Sequence, residues 1–227
     1  MHNIEHVFFD LDHTLWDFDK NSALTFQKVF NTYKVEINLS DFLSIYEPIN
    51  LNYWKLYREE RVDKFSLRYG RLKDTFDGLC YQIDDELIHV LSEEYIKYLT
   101  SFNHLFEGTL SILDYLQRKY QLHIITNGFE EAQNKKMTNA NIIHFFKTVT
   151  NSEMVGVKKP NPIIFNFALE RAKAKPANSI MIGDNYEADI LGALNVGLDV
   201  ILFDYHKTTT SNGIKKVDTL IELKQYL

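Results

Sequence analysis

Four short apolar runs, each closed by a polar residue, constrain this chain more than any other feature. Residues 6–9 (HVFF) run into Asp10, residues 122–125 (LHII) into Thr126, residues 179–182 (SIMI) into Gly183-Asp184, and residues 200–203 (VILF) into Asp204. Each reads as a buried strand. Helical patterns separate them: Leu110, Leu113, Leu116 and Tyr120 recur at helical spacing, as do Ile164, Phe167, Ala168 and Ala172. Residues 185–196 fit another helix, with Gly197 in the C-cap position. Alternating strand and helix predicts an α/β fold, a doubly wound parallel sheet with helices on both faces.

The stretch from 17 to 104 has no strand-like run. Ala23, Phe26, Phe30 and Tyr33 are helically spaced, and further helical patterns run through 42–60, 64–79 and 84–101. This predicts an all-helical insert, an antiparallel bundle placed after the first strand. Gly108 marks the return to a core made of residues 1–16 and 105–227. Residues 205–213 (YHKTTTSNG) read as a polar surface loop, and 217–227 as a short closing helix or a strand and helix.

A chain of 227 residues accommodates such a core with its insert, and 14% aromatic content suits two hydrophobic cores. With 45% hydrophobic and 25% charged residues, the expectation is a soluble globular protein. The formal charge of -6 argues against a nucleic acid polymer as partner, which calls for a basic face. No apolar run approaches the roughly 18 residues that span a bilayer. Cys80 is the one cysteine, so no intramolecular disulfide is possible, and a lone thiol fits a reducing compartment. The first residues lack the apolar core of a secretory signal, so the expected location is cytoplasmic.

In open parallel sheets, ligands collect at the carboxyl ends of the strands. Asp10, Asp12, Thr126 and Asp184 all fall at those ends. Asp10 and Asp12 repel each other unless a cation lies near, and a hard ion such as Mg²⁺ takes one or two carboxylates together with phosphate oxygens. The same pair also reads as a turn with Asp caps. Asp184, followed by Asn185 and Asp189, completes a metal site or caps the next helix. Thr126-Asn127-Gly128 offers a hydroxyl and backbone amides to an anion, or an ordinary N-cap. In Lys158-Lys159-Pro160, the proline holds Lys159 extended and so aims one ammonium inward, or the two lysines are a solvated pair.

Taken in order, the carboxylate pair, the Thr, the Lys-Pro and the second carboxylate pair resemble the haloacid dehalogenase-like (HAD) superfamily, and the likeness extends over most of the chain. The resemblance implies a Mg²⁺-dependent phosphatase. Asp10 would attack phosphorus. Asp12 would protonate the leaving oxygen and then deprotonate water. Mg²⁺ would bind the Asp10 carboxylate, the Asp12 carbonyl and Asp184. Thr126, Asn127 and Gly128 would hold phosphate oxygens, Lys159 would neutralise transition-state charge, and Asp189 and Asn185 would support the site. The lysine is assigned to Lys159 rather than Lys158 because it directly precedes proline. Asp12 is absent from the dehalogenase branch, so phosphate is the expected substrate group. The insert stands where this superfamily carries its helical cap, which selects substrates; Trp16, Asp17 and Phe18 sit where the chain enters it, as pocket lining or as packing.

A finer resemblance rests on Ile125-Thr126-Asn127-Gly128-Phe129, Gln133, residues 155–161 (VGVKKPN) and residues 184–192 (DNYEADILG). These look like the bacterial pyrimidine-nucleotide 5'-nucleotidase branch and imply a nucleoside monophosphate substrate, with Phe129 near the base or packed at a helix start. Glu107-Gly108 and His13 depart from the usual pattern. A sugar-phosphate or phosphoglycolate phosphatase is the alternative within the superfamily. A non-catalytic phosphoprotein or ligand-binding protein on the same fold is the alternative outside enzymes. The expected partner is a small phosphorylated metabolite, bound by a monomer or homodimer.

Overall fold

A computed structural model describes residues 4–207 and 213–227, so the loop expected at 205–213 falls partly outside the described residues. Six parallel strands form one sheet: β1 His6–Phe9, β2 Gln121–Thr126, β3 Phe146–Asn151, β4 Ser179–Gly183, β5 Asp199–Phe203 and β6 Lys216–Val217. Their order is β3-β2-β1-β4-β5-β6. The chain winds outward from β1 through β2 and β3, then returns to β4 on the other side of β1. The crevice of such a sheet opens where the winding reverses, between β1 and β4. Asp10 N donates to Ile182 O at 2.9 Å, which fixes the end of β1 against the end of β4.

The nine α-helices among the described residues follow in chain order. They are α1 Phe18–Tyr33, α2 Leu39–Arg58, α3 Lys64–Gly78, α4 Asp85–Leu99, α5 Thr109–Leu116, α6 Glu130–Asn139, α7 Ser152–Val155, α8 Pro162–Ala172 and α9 Gly192–Asn195. The chain divides into two compact units, one made of residues up to Phe18 and from Asn103 on, the other Asp19–Phe102. In the first, Ile164, Phe165, Ala168 and Leu169 of α8 pack with Phe8, Ile125, Met181 and Leu202 of the sheet. In the second, Phe26, Phe42, Tyr46, Phe76 and Tyr95 form an aromatic core. Asn38, Asp63 and Asp84 cap α2, α3 and α4, each accepting a backbone N–H of its own first turn. No helix among the described residues is long and apolar enough to cross a membrane.

All four expected strands are present. β3 escaped the reading of apolar runs, while β6 and the 3₁₀ helix Leu220–Gln225 take the strand-and-helix form of the two offered for 217–227. β3 (FKTVTN) is an edge of the sheet and is buried only at its last two residues, so its sequence lacks a continuous apolar run. The helix expected over 185–196 is corrected to a π-helical turn, Tyr186–Leu191, followed by α9. Asn185 O accepts from both Asp189 N at 2.9 Å and Ile190 N at 3.3 Å, and this shared acceptor widens the turn. The helix expected to reach Tyr120 stops at Leu116, whose carbonyl takes the amides of Lys119 and Tyr120 in a tighter turn.

Candidate active site

Lys159 is the centre of the polar cluster at the β1–β4 crevice. Lys159 is 2% exposed; its ammonium donates to Asp10 Oδ1 and the Ile125 carbonyl, each at 2.7 Å, and forms an ion pair with Asp189 Oδ1 at 2.7 Å. The backbone of Lys159 is itself clamped by one side chain: Asn127 Oδ1 accepts from Lys159 N at 2.7 Å, and Asn127 Nδ2 donates to Lys159 O at 2.9 Å. The loop after β2 therefore holds the lysine that faces β1. Of the two candidate lysines, the one beside Asp10 is Lys159.

Asp184 follows β4 and accepts from Thr14 Oγ1 at 3.0 Å. Asp189 comes from the π-helical turn. Its Oδ2 accepts from Asn185 N at 3.0 Å, and Asn185 Oδ1 caps Ala188 N at 2.9 Å. Gly183 lets this turn close: a Cβ there would stand 2.6 Å from the Asp189 Cβ, inside any contact distance. Oxygen atoms of Asp10, Asp184 and Asp189 all lie within 4.8 Å of one another.

Three carboxylates around one ammonium leave an excess of two negative charges in a buried place, and the acidities respond. Burial raises Asp10 from 3.8 to about 7, and Asp189 and Asp12 add to the rise, while Lys159 opposes it. Burial, then Asp189 and Asp10, push Asp184 well above the usual carboxylate range, against Thr14 and Lys159. Burial draws the Lys159 ammonium down, but Asp10 and Asp189 outweigh it and hold the group above its ordinary value. Protons relieve this charge excess, and so does a divalent cation with hard oxygen preference. The donor set, carboxylate oxygens alone, fits Mg²⁺.

Asp12 faces other partners. Its Oδ1 meets the Lys136 ammonium at 2.6 Å, and its Oδ2 accepts from Gln133 Nε2 at 3.0 Å. The carboxylate therefore stays out of the Asp10–Asp184–Asp189 group, which leaves only the Asp12 carbonyl for the metal role expected of it. Gln133 Nε2 also donates to Thr126 Oγ1 at 2.7 Å, and Gly128 N donates to the same hydroxyl at 3.1 Å. Thr126 Oγ1 thus accepts two hydrogen bonds, and its own O–H remains the group available to donate. The Gly128 amide is thus committed to Thr126, and a Cβ at Gly128 would collide with the Gln133 amide. Trp16 and Phe18 are buried, with ring centroids 4.4 and 5.5 Å from Lys136 Nζ. Phe129 is buried at the N-cap of α6.

Sequence reasoning missed Lys136, Thr14 and the side-chain role of Asn127. One signal for Lys136 was available. The segment EEAQNKKMTN has almost no apolar stripe, yet it follows a central strand, so its inner face had to bury polar groups.

The sequence pattern described as haloacid dehalogenase-like hydrolase matches residues 7–203. The chain is 32% identical over 226 residues to pyrimidine 5'-nucleotidase YjjG of Escherichia coli, covering 97% of this chain and 96% of that one. It is also 32% identical over 231 residues to glyceraldehyde 3-phosphate phosphatase of Methanothermobacter thermautotrophicus, covering 97% and 98%. Among solved structures, the HAD-hydrolase YfnB of Bacillus subtilis bound to magnesium superposes with a TM-score of 0.89, at 26% identity and 99% coverage of both chains. Fold, site and family pattern agree: the chain belongs to the haloacid dehalogenase-like hydrolases.

Proposed function

We propose that this HAD-like phosphatase hydrolyses pyrimidine nucleoside 5'-monophosphates through a phosphorylated Asp10. The observation that carries the reading is the placement of Asp10, with the Asp184 and Asp189 carboxylates and one buried ammonium around it and the Thr126 hydroxyl on the next strand. An Asp10 oxygen attacks phosphorus, and the bond from phosphorus to the ester oxygen breaks. Asp12 gives its proton to the departing oxygen. Water then attacks the aspartyl phosphate, Asp12 takes the water proton, and inorganic phosphate leaves with Asp10 restored. Lys159 fixes the Asp10 carboxylate and offsets charge on the phosphoryl oxygens, and Thr126 donates to one of them. Asp10, Asp184 and the Asp12 carbonyl would hold Mg²⁺, with Asp189 beside them. The bound ion supplies charge neutralisation and orientation of the phosphoryl group.

The nucleotide assignment is supported by the Escherichia coli nucleotidase, which matches nearly end to end. A second reading, a small sugar-phosphate substrate, is favoured by the equal identity to the triose-phosphate phosphatase. The same reading takes residues 17–104 as an inserted helical cap and the location as cytoplasmic. Phosphate release from nucleoside monophosphates and triose phosphates, with Mg²⁺ or chelator, decides the matter. Metal-dependent release that is greatest for uridine or thymidine monophosphate and lost in Asp10→Asn is expected. Greater release from a triose phosphate would overturn the substrate, and full activity in Asp10→Asn would overturn the mechanism.

A further inference from the structure

Lys136 is 3% exposed on α6, a helix whose buried face otherwise consists of Ala132, Gln133 and Met137. Lysine is rarely buried, because desolvating an ammonium is costly unless it is paired. Here the pairing is specific. The ammonium meets Asp12 Oδ1 at 2.6 Å and sits against the faces of Trp16 and Phe18, which favour a cation. Gln133, one turn earlier on the same face, takes Asp12 Oδ2 and also reaches Thr126 Oγ1. One helix therefore grips both oxygens of a carboxylate and ties it to the hydroxyl at the end of β2.

We infer that Lys136 is a positioning residue for Asp12, fixing together with Gln133 the direction in which that carboxylate meets the departing ester oxygen. The inference rests on Asp12 acting as the acid and base of the reaction. A proton donor works only within hydrogen-bond reach of the leaving atom, so an unheld carboxylate wastes its contribution. Lys136 touches neither phosphorus nor the nucleophile. It acts through Asp12, and its effect depends on how much the leaving group needs a proton.

The test compares two esters, p-nitrophenyl phosphate, whose aryl oxide departs without help, and the nucleoside or triose phosphate turned over fastest, whose alkoxide needs a proton. Lys136→Gln should lower kcat on the alkyl ester by about tenfold to a hundredfold more than on the aryl ester, with KM little changed. Lys136→Arg should restore most of the loss. In the Asp12→Asn background, Lys136→Gln should add nothing. Gln133→Met, which releases the other oxygen, should give a loss of the same ester dependence, so the inference stays testable if Lys136→Gln folds poorly. Equal losses on both esters, or losses that add to Asp12→Asn, would overturn it. If Asp12→Asn discriminates between the esters and Lys136→Gln does not, the inference alone falls. If Asp12→Asn does not discriminate either, the acid role falls with it.

Discussion

Protonation of a buried histidine in the sheet should make the core of this protein acid-labile well above the range where carboxylates titrate. His123 on β2 is fully buried against Phe8, with ring centroids 4.7 Å apart. Its Nε2 lies 3.1 Å from His6 Nδ1 on β1, and its Nδ1 lies 2.9 Å from Thr148 Oγ1 on β3. Burial lowers its pKa from 6.5 to about 4, and the neighbouring His6 and Lys147 add to the fall. His6 is lowered by burial as well, against Glu5. The unfolded chain takes up a proton near 6.5 and the folded chain resists until about 4, so stability is complete above 6.5 and falls as the pH drops between those values. At ~1.4 kcal/mol per pH unit the full loss is about 3 kcal/mol, and about 2 kcal/mol has gone by pH 5. Asp10 changes stability in the opposite sense, since its raised value makes the folded state take up a proton first. The informative quantity is therefore the difference between wild type and His123→Gln, which keeps a donor and an acceptor without the proton equilibrium. Urea midpoints at pH 7.5 and 5.0 should fall more in wild type than in the variant, by a free-energy difference of about 2 kcal/mol. Parallel pH dependences, or an imidazole resonance of His123 titrating near 6.5, would refute the reasoning.

Three further outcomes are expected. The Mg²⁺ concentration for half-maximal activity should rise as pH falls through about 7, because the proton that burial keeps on Asp10 must leave first; calorimetry in two buffers of different ionisation enthalpy should register its release. Lys159→Met leaves three buried carboxylates without their ammonium, so it should abolish turnover and cost about 3 kcal/mol or more in metal-free denaturant unfolding at neutral pH, partly recovered by added Mg²⁺. Gly183→Ala drives a methyl into the Asp189 carboxylate, and should lower kcat while the circular dichroism of the sheet is kept.

What could be read from the sequence was set by how each residue is buried. Phe8, Ile124, Met181 and Ile201 lie in strands covered on both faces, so continuous apolar runs announce them. The polar residue ending each run then falls at the ligand-binding edge by topology alone. β3 lies at the edge of the sheet, and its Lys147 and Thr148 broke the pattern that identified the others. Asn127 was read through its backbone amide, since a strand-end Asn before Gly suggests an anion site. Its side chain instead clamps Lys159, a partner 32 residues away that no local rule connects. Lys136 was not singled out, because burial of an ammonium depends on the carboxylate and rings that tertiary structure brings to it.

The two carboxylates of the D-x-D segment show how one short turn places two aspartates in different surroundings. Asp10 and Asp12 are separated by a single residue, yet each has its own lysine, delivered by a different part of the chain. Lys159 reaches Asp10 from the loop before α8, shared with Asp189, and the surplus negative charge there suits the proposed Mg²⁺ site. Lys136 reaches Asp12 from α6, without a second carboxylate and with Gln133 on the other oxygen. The first carboxylate is thereby tied to Lys159 and the neighbouring Asp184 and Asp189, and the second to the helix that also carries the partner of Thr126. Exchanging the lysines' positions would not conserve the site, because Lys159 has the Ile125 carbonyl as an acceptor beside its carboxylates and Lys136 has aromatic faces against it. The division of labour proposed for these neighbouring aspartates therefore rests on what packs around each one, and not on the two residues themselves.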